Sequence, residues 1–426
     1  MDHENYLGIL LTKNGSKYYI IKHIGEGATS FVYLALDKYK REYALKLYTN
    51  SESYFNEINK LKNISPSEYI VKLISYGQGY IERGYSYFSY KLFNHFETGP
   101  VEYGLFEYLK NGDLQNYVFL LKKKFSEEIS RKIFFDVLLA VEICHQNGIS
   151  HGDIKLQNIL LNSNFHLKLI DLGFAKNIKD GLIYEITGSK FYNAPEMFSC
   201  ATKGYDGTLA DTFSLGVVLF VLVMGFYPFD KPNIVDSKYK LIIKKDFINF
   251  WKKCEQKKLF SNNSNVSPEF KDLFEKMVCP KPKERINISQ IKKHPWLKEL
   301  SDYYEKQDYD NKLEINKKNG IFCEKKKLKS PKKKIKKHLS HNSSFYKEEK
   351  IFVKNIENDY DTKSNHSDDL EQKNINKKNS FHLEDNIKKV NKNSLLKELE
   401  IKYIKELTSR KINIDKILKE QEEFGD

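Results

Sequence analysis

The stretch Ile149-Ser-His-Gly-Asp-Ile-Lys-Leu-Gln-Asn-Ile-Leu-Leu161 is followed by a polar turn and then by Leu167-Lys-Leu-Ile-Asp-Leu-Gly-Phe-Ala175. It contains two short apolar runs, 159–161 and 167–170, with Asn and Ser residues between them. Short apolar runs bounded by turn residues predict a β-hairpin. We therefore expect the polar residues at the outer ends of the two strands to meet.

The polar residues at those outer ends carry the chemistry of the stretch. Asp153, Lys155 and Asn158 precede the first predicted strand, and Asp171 follows the second. Folding the hairpin places two carboxylates, an amide and an ammonium group on one rigid support. Such a cluster can hold hard cations and a polyanion. A surface hairpin with ordinary polar ends is the alternative interpretation of the same residues.

The same pattern resembles the catalytic and metal-binding loops of eukaryotic protein kinases. In that family His-Arg-Asp is followed by an Asn five residues after the Asp, and later by Asp-Phe-Gly. The corresponding residues here are His151-Gly152-Asp153, Asn158 and Asp171-Leu172-Gly173. The resemblance implies an α+β, bilobal protein kinase fold with a small β-rich N-lobe and a larger helical C-lobe. The polar, Lys/Asn-rich composition beyond this domain predicts a largely disordered tail.

Two further details resemble the calcium/calmodulin-dependent kinase group, including its AMP-activated-like branch. They are the run Gly188-Ser-Lys-Phe-Tyr-Asn-Ala-Pro-Glu196 and the final His294-Pro-Trp296. The intact substrate loop and the Ala-Pro-Glu motif disfavour a small-molecule kinase on the same fold.

The resemblance also implies a role for each residue of the hairpin stretch. Asp153 would orient the substrate hydroxyl and accept its proton, and Lys155 would neutralise charge on the transferred phosphoryl group. Asn158 and Asp171 would hold Mg²⁺ ions that bridge the phosphates of ATP. A lysine two residues after the catalytic Asp is typical of serine/threonine kinases. The expected cofactors are therefore ATP and Mg²⁺, and the expected substrates are proteins with Ser or Thr acceptors.

The first part of the chain would supply the nucleotide site. Gly25-Glu-Gly27 lies between two β-rich runs, as in the family's glycine-rich loop, although Ser30 stands for the third glycine. Lys46 corresponds to the strand lysine that binds the α- and β-phosphates. Glu57, in a helical pattern over residues 53–64, corresponds to the glutamate that pairs with this lysine. The predicted apolar face of that helix consists of Phe55, Ile58, Leu61 and Ile64.

Residues 106–114 resemble the hinge between the two lobes. By this match the Glu107 carbonyl and the Leu109 backbone would bind adenine. Asp113 would lie near the ribose or near a basic residue of the substrate. The residues expected at the ATP site are Ile24, Gly25, Glu26, Gly27, Val32, Ala44, Lys46, Glu57, Glu107, Leu109, Asp113 and Leu160.

Three charged residues of the C-lobe are expected to be structural. Glu196, in the Ala-Pro-Glu motif, would form a buried ion pair with Arg285, and Asp211 would anchor the catalytic-loop backbone from a buried helix. Residues 126–146 predict a long amphipathic helix with Ser126 as its N-cap.

Two departures from the family pattern concern regulation. Gly152 stands where the family has an arginine that binds an activation-loop phosphate, and Glu185 stands where many relatives carry the phosphorylated threonine. Both changes predict activity without phosphorylation of this loop. Thr187 and Ser189 remain as phosphorylatable residues.

Composition excludes several classes of protein. The net charge of +14 is spread over both halves of the chain, so no nucleic-acid partner is expected. Five scattered cysteines favour a reducing compartment, and the polar N-terminus lacks the shape of a signal peptide. The most apolar stretch, Leu215–Phe229, is too short to span a bilayer and predicts a buried core helix. We therefore expect a cytoplasmic protein without a transmembrane segment.

The kinase domain is expected over residues 18–297, with the N-lobe at 18–108 and the C-lobe at 109–297. Residues 1–17 would form an N-terminal extension. Within the N-lobe, residues 76–100 are long for a connection and rich in aromatic side chains. They predict an extended hairpin insertion that either docks a partner or packs on itself.

The tail beyond the kinase domain has two predicted parts. Residues 298–393 form a Lys/Asn-rich segment with the composition of a disordered linker, and 394–420 predict an amphipathic helix. This helix would dock on the kinase, self-associate or bind a partner, and the sequence leaves the three open. The basic block Lys325–Lys337 is a solvated charge run, a nuclear-import signal or a patch for acidic lipids, so a nuclear location is the alternative to the cytoplasm. The apolar residues at helical spacing are Leu396, Leu399, Tyr403 and Leu407.

An active serine/threonine kinase and a pseudokinase scaffold that binds nucleotide without catalysis are the two competing hypotheses. A scaffold of that kind typically lacks part of the catalytic set. The full set is present in this sequence, which favours catalysis. Its members are Lys46, Glu57, Asp153, Asn158 and Asp171.

Overall fold

The computed structural model describes residues 6–64, 66–83, 98–119, 125–256, 266–318, 397–403 and 405. The chain divides into two compact units. The first holds the residues up to Ile288 together with the C-terminal segment, and the second begins at Ser289.

The small lobe is a closed antiparallel barrel of six strands in the order β1-β2-β3-β4-β6-β5. Its interior is filled by apolar side chains that alternate along the strands, which is the period-two pattern of a strand with one buried face. The strands are β1 (Gly8–Thr12), β2 (Lys17–Gly27), β3 (Ser30–Leu36), β4 (Glu42–Tyr48), β5 (Leu73–Arg83) and β6 (Gly99–Glu107).

Strand β1 corrects the prediction that residues 1–17 are an extension outside the lobe. It pairs with both β2 and β5 and closes the barrel between them. Leu10 is fully buried in the barrel interior with Ile20 and Ile81. The small lobe therefore begins before residue 18, because a short apolar run gains more from a sheet edge than from solvent.

Helix α1 (Ser51–Asn63) packs beside the barrel and is capped by the Asn50 side chain, which accepts a hydrogen bond from the Ser53 amide at 2.9 Å. Its buried face holds Tyr54 and Glu57 in place of the predicted Phe55, which is 53% exposed. The observed buried face is shifted by one residue relative to the predicted face at this end of the helix. Both faces satisfy the spacing of an amphipathic helix. The rest of the buried face consists of Ile58, Lys60 and Leu61.

The predicted hairpin insertion is confirmed for its two arms, β5 and β6, which pair from Leu73 with Phe106 to Ile81 with Gly99. Its tip, residues 84–97, lies outside the described residues. Strand β5 begins at Leu73, after a short segment that does not join the barrel. Residues 69–71 pair instead with Leu169, in the hairpin predicted from the runs 159–161 and 167–170. The Val71 amide donates to the Leu169 carbonyl at 3.0 Å, and the Leu169 amide donates to the Tyr69 carbonyl at 2.8 Å.

The large lobe is mainly helical and is built around α5 (Gly207–Met224), which is buried along nearly its whole length. By length and composition α5 would suffice to cross a bilayer, but 78% of it is buried inside the lobe, as a core helix would be. Around it, the large lobe contains α2 (Leu114–Phe119), α3 (Glu127–Gln146), α4 (Cys200–Lys203), α6 (Tyr239–Ile243), α7 (Phe247–Glu255) and α8 (Pro268–Met277).

Helix α3 begins as predicted, because the Ser126 hydroxyl caps it by accepting from the Ile129 amide at 3.3 Å. Two short antiparallel pairs complete the lobe. The catalytic hairpin consists of β8 (Ile159–Leu161) and β9 (Leu167–Leu169), and the second pair of β7 (Ile149–Ser150) and β10 (Lys176–Asn177).

Helices α9 (Ile288–Lys292) and α10 (Pro295–Lys318) follow the large lobe. The prediction of a disordered linker from residue 298 is wrong up to Lys318, because α10 continues through this polar sequence. The segment has neither Gly nor Pro after Pro295 and is rich in Lys, Glu and Asp. Helix propagation is cheap once the first turns are formed, so such a sequence extends a helix that has already started. The rest of the predicted linker and the basic block lie outside the described residues.

Residues 397–403 and 405 are also helical. We refer to them as the tail helix. They belong to the first unit, and they form the described part of the helix predicted over 394–420.

Candidate active site

The catalytic hairpin brings the predicted polar residues together. Strands β8 and β9 pair in the register that sets Ile159 opposite Leu169, and the Ile170 amide donates to the Asn158 carbonyl at 2.9 Å. Asn158 and Asp171 therefore flank the open end of the hairpin. The Asn158 side-chain amide also donates to the backbone carbonyl of Asp153 at 2.9 Å, which joins the loop before the hairpin to the same end.

Asp153 lies buried at this end with its carboxylate oriented by its neighbours. Its Oδ2 atom accepts from Asn158 Nδ2 at 3.1 Å and lies 2.7 Å from the Lys155 ammonium. Its Oδ1 atom is buried and has no hydrogen-bond partner among the described residues. A fixed carboxylate with one oxygen left over can accept a proton from a group placed beside it.

The Lys155 ammonium bridges the catalytic loop and the substrate loop, because it also donates to the Ser189 hydroxyl at 3.0 Å. Gly188 precedes this serine with a φ of +75°, in the left-handed region that favours glycine. A Cβ atom there would collide with the Gly152 carbonyl oxygen. Glycine at 188 thus lets the two loops touch.

Asp211 on α5 fixes the backbone of the catalytic loop. Its carboxylate accepts from the His151 amide at 2.8 Å and from the Gly152 amide at 2.9 Å, and it contacts His145 Nε2 at 2.8 Å. Gly152 itself has a φ of +75°, and a Cβ at this position would lie 2.8 Å from the Phe174 carbonyl oxygen. The glycine that replaces the family's arginine therefore suits this tight backbone.

Lys46 joins the small lobe to the catalytic hairpin. Its ammonium lies 2.6 Å from Glu57 Oε2 on α1 and 2.9 Å from Asp171 Oδ1. Tyr48, two residues further along β4, donates its hydroxyl to the same Glu57 oxygen at 3.1 Å. One ammonium thus connects a strand, a helix and the end of the hairpin that carries Asp171.

The charges in this cluster reinforce one another. Burial alone would raise the pKa of the Asp171 carboxyl, but the Lys46 ammonium outweighs burial and holds that pKa at about 2. Burial would also lower the pKa of Lys46, but the carboxylates of Asp171 and Glu57 raise it above its ordinary value. Asp171 is therefore an anion, and Lys46 a cation, throughout the physiological pH range.

The predicted glycine-rich loop is the turn between β2 and β3. The two strands pair Gly25 with Val32 and Gly27 with Ser30, and β3 in turn pairs Val32 with Lys46. Ile24 and Glu26 alternate with the two glycines along β2, and Ala44 precedes Lys46 on β4 by two residues. The sheet therefore places the predicted phosphate-binding backbone beside the lysine.

The predicted hinge residues have partners of their own. The Glu107 carboxylate accepts from the Lys72 amide at 2.7 Å and lies 3.1 Å from the Lys168 ammonium, and Leu109 is buried. Asp113 caps α2 by accepting from the Asn116 amide at 3.0 Å, and it forms an isolated bridge with Leu160 of β8. Burial raises the pKa of Asp113 to about 6.

The donor set at the open end of the hairpin fits magnesium with a bound polyphosphate. Among the described residues there is no group of three or more His, Cys, Asp or Glu that would enclose a metal ion. Mg²⁺ usually keeps several waters and is held by one or two protein ligands plus substrate phosphates. The Asn158 and Asp171 side chains supply two such oxygen ligands.

Glu196 and Arg285 form the predicted ion pair in a bidentate geometry. Arg285 Nη1 lies 2.6 Å from Glu196 Oε1, and Nη2 lies 2.9 Å from Oε2. The guanidinium also donates to the Leu209 carbonyl at 2.7 Å and to the Cys279 carbonyl at 3.0 Å. Its side chain is completely buried, so the substrate loop is tied firmly to the helical core.

Sequence reasoning missed three residues that contact this site. They are Tyr48 and His145, described above, and Lys176, whose ammonium lies 2.8 Å from Glu185 Oε2 in the activation loop. Lys176 follows Asp171 by five residues on β10. The sequence shows that Lys176 lies close to Asp171 along the chain, but only the fold shows that its ammonium contacts the Glu185 carboxylate.

Comparison with known proteins agrees with this geometry. The protein kinase domain family matches residues 18–297. CBL-interacting protein kinase 11 of Oryza sativa subsp. japonica is 33% identical over 316 residues, which are 71% of this chain and 53% of that kinase. CBL-interacting serine/threonine-protein kinase 2 of Arabidopsis thaliana is 39% identical over 200 residues, 46% of this chain and 40% of that kinase. Serine/threonine-protein kinase SIK2 of Gallus gallus is 32% identical over 282 residues, 66% of this chain and 32% of that kinase.

The chain belongs to the protein kinase domain family, because the matched segment is more than half of its length. The predicted fold is confirmed, and so is the resemblance to serine/threonine kinases of the calcium/calmodulin-dependent-like group. The chain spans about half or less of the length of these three relatives.

Proposed function

We propose that this chain is an active serine/threonine protein kinase that transfers the γ-phosphoryl group of ATP to Ser or Thr residues of proteins. The observation that carries the proposal is the position of Lys46, which pairs with Glu57 and Asp171 at once. Such a pairing aligns the two lobes around the place that a nucleotide would take.

Asp153 is the proposed acceptor of the proton. The substrate hydroxyl oxygen attacks the γ-phosphorus, the bond between that phosphorus and the β,γ-bridging oxygen breaks, and ADP leaves. The hydroxyl proton passes to Asp153 Oδ1, the buried oxygen without a partner among the described residues. The Lys155 ammonium lies 2.7 Å from Asp153 Oδ2. From there its positive charge would stabilise the negative charge of the phosphoryl group during transfer.

Asn158 and Asp171 are the proposed magnesium ligands. Mg²⁺ held by these two side chains would neutralise negative charge on the phosphates of ATP. The low pKa of Asp171 keeps this ligand ionised without a bound metal. The residues of the glycine-rich turn and the hinge are proposed to hold the nucleotide, with Lys46 on its α- and β-phosphates.

We also propose that activity does not require phosphorylation of the activation loop. Glu185 already places a carboxylate 2.8 Å from the Lys176 ammonium, where a phosphorylated side chain would otherwise supply the negative charge. Gly152 has no side chain that could bind an activation-loop phosphate, whereas the family has an arginine at this position. The activation loop therefore forms this ion pair without any covalent modification.

The test is phosphate transfer from Mg-ATP to a generic Ser/Thr substrate, with protein shown by mass spectrometry to carry no phosphate. Wild type and Asp230→Asn, an exposed control, should transfer phosphate, whereas Asp153→Asn should be slower by at least about 100-fold. ATP should still raise the melting temperature of Asp153→Asn. Wild type that binds ATP but transfers nothing would indicate the pseudokinase scaffold.

A second pair of variants tests the activation loop. Both partners of the Lys176–Glu185 pair are partly exposed, so Glu185→Gln should lower the rate only about two- to fivefold, whereas Asp180→Asn in the same loop should leave it unchanged. Unphosphorylated wild type that stays inactive until Thr187 or Ser189 is modified would refute independence from phosphorylation.

Protein partners other than substrates remain a proposal. The β5–β6 hairpin exposes Ile74, Tyr76 and Tyr80 by 42–49% each, and exposed apolar side chains grouped in this way favour a partner surface. The cytoplasmic or nuclear location stays a prediction from the sequence. Fluorescence microscopy of the tagged chain with and without residues 325–337 would test it.

A further inference from the structure

The tail helix lies on the first compact unit, and its contacts there are specific. Leu399 and Tyr403, four residues apart and therefore on one helical face, are both fully buried. Ile401, between them in sequence, is 48% exposed and lines a cleft with Asn164, Phe165 and His166. Of the three outcomes that the sequence left open for this segment, docking on the kinase accounts for the burial of its apolar face.

The surface beneath the tail helix contains a buried ion pair of α3. Lys132 is 2% exposed, and its ammonium lies 2.6 Å from Asp136 Oδ2. The same ammonium lies 5.6 Å from the centre of the Tyr403 ring, within the range of a cation–π contact. Tyr403 therefore covers the Lys132–Asp136 ion pair, which would become more hydrated if the tail helix dissociated.

The tail helix also binds the turn of the catalytic hairpin, residues 162–166. The Lys402 ammonium donates to the Phe165 carbonyl at 2.7 Å. Phe165 has a φ of +57°, a conformation that costs energy for a residue with a side chain. A hydrogen bond from the tail to this carbonyl stabilises the turn in that conformation.

The same turn is linked to the hinge. The Asn111 side-chain amide donates to the Asn162 carbonyl at 2.8 Å, and the Phe165 amide donates to that carbonyl at 2.9 Å. The two strands that leave the turn lead directly to Asn158 and Asp171 at the other end. The turn is thus a point through which a support outside the site can act on the metal-binding end.

We propose that the tail helix is an intramolecular brace, a removable support that docks on α3 and the hairpin turn and steadies the metal-binding end of the catalytic hairpin. The Tyr403 and Lys402 contacts go to α3 and to the turn, whereas the ion pairs of Lys46, Asp153 and Asp171 join these residues to Glu57, to Lys155 and to one another. The brace therefore acts through the hairpin, without occupying the site, and supports activity.

The test uses the full-length chain with the variants Leu399→Ala and Tyr403→Ala, and Lys397→Ala, at an exposed position of the same helix, as the control. Each brace variant should lower the melting temperature by roughly 3–8 °C, and the control by much less. Hydrogen exchange should accelerate at the amides of residues 158–170 in the brace variants alone. Lys402→Met, which keeps the apolar anchors, should accelerate exchange in the turn with a smaller loss of melting temperature.

The activity arm rests on the proposed kinase function. The brace variants should raise the KM for Mg-ATP several-fold. Melting temperature and exchange test the brace even if no transfer is found, so the two proposals can fail separately. Brace variants as stable and as slowly exchanging as Lys397→Ala would show that the contact does not form in solution. Brace variants more active than wild type would show that the tail inhibits.

Discussion

Replacing Arg285 by alanine tests how firmly the substrate loop is tied to the core. All five N–H groups of this guanidinium are directed at three acceptors, the Glu196 carboxylate and the carbonyls of Leu209 and Cys279. Its side chain is fully buried, and that of Glu196 is 14% exposed. The alanine variant would leave a nearly buried carboxylate without its cation.

The expected loss follows from this geometry. Removing one partner of a buried, hydrogen-bonded ion pair costs about 3–5 kcal/mol. One kcal/mol corresponds to roughly 2–4 °C in the melting temperature of a domain of 150–250 residues, so Arg285→Ala should melt ~6–20 °C below wild type. Arg285→Lys keeps the charge but loses the forked geometry, and it should fall between the two.

The assay is thermal unfolding followed by circular dichroism, with Lys276→Ala as the matched control. Lys276 lies 2.6 Å from Asp272, as close as Arg285 is to Glu196, but both partners are 50% exposed. An exposed pair of this kind contributes about 0–1 kcal/mol. Equal shifts for Arg285→Ala and Lys276→Ala would refute the reasoning, because burial would then not set the cost.

Two further predictions concern the nucleotide site. Lys46→Met should abolish measurable transfer and also lower the melting temperature, because it leaves Glu57 and Asp171 without their shared cation. The control Lys17→Met, at an exposed position of β2, should change neither quantity. A stable Lys46→Met protein with normal transfer would contradict the proposed role. Burial raises the pKa of Asp113 from 3.8 to about 6 in the folded protein. Between these two pH values the folded state therefore binds more protons than the unfolded state. The free energy of unfolding should consequently fall as pH rises from about 4 to 6. Asp113→Asn should lack that part of the pH dependence in melting curves at pH 4–7, and identical pH profiles for the two proteins would show that this carboxyl titrates normally.

The catalytic hairpin could be predicted because every signal for it is local. Its two apolar runs are separated by five residues, and the turn residues between them leave few other ways to fold. The N-cap of α3 and the buried core helix α5 were predictable for the same reason. In each case the interactions that decide the structure join residues that are close in sequence.

The errors occurred where two local solutions have similar energy. Phe55 and Tyr54 both fit the period of α1, and only the packing of the helix against the barrel chooses Tyr54. Residues 8–12 could have been solvated, but β2 and β5 offer them two strand edges. The polar sequence of α10 has no apolar stripe to predict a helix, but it also has nothing that would stop one.

The sequence by itself determined which chemical groups this protein can use, because the order of Asp153, Lys155, Asn158 and Asp171 around a short hairpin leaves them one meeting point. Only the tertiary structure decided what those groups touch. Lys46 reaches Asp171 across 125 positions of the chain, and Lys402 reaches Phe165 across 237. Contacts of this range depend on which buried charges and carbonyls still need a partner once the lobes have packed, and that is a property of the whole fold.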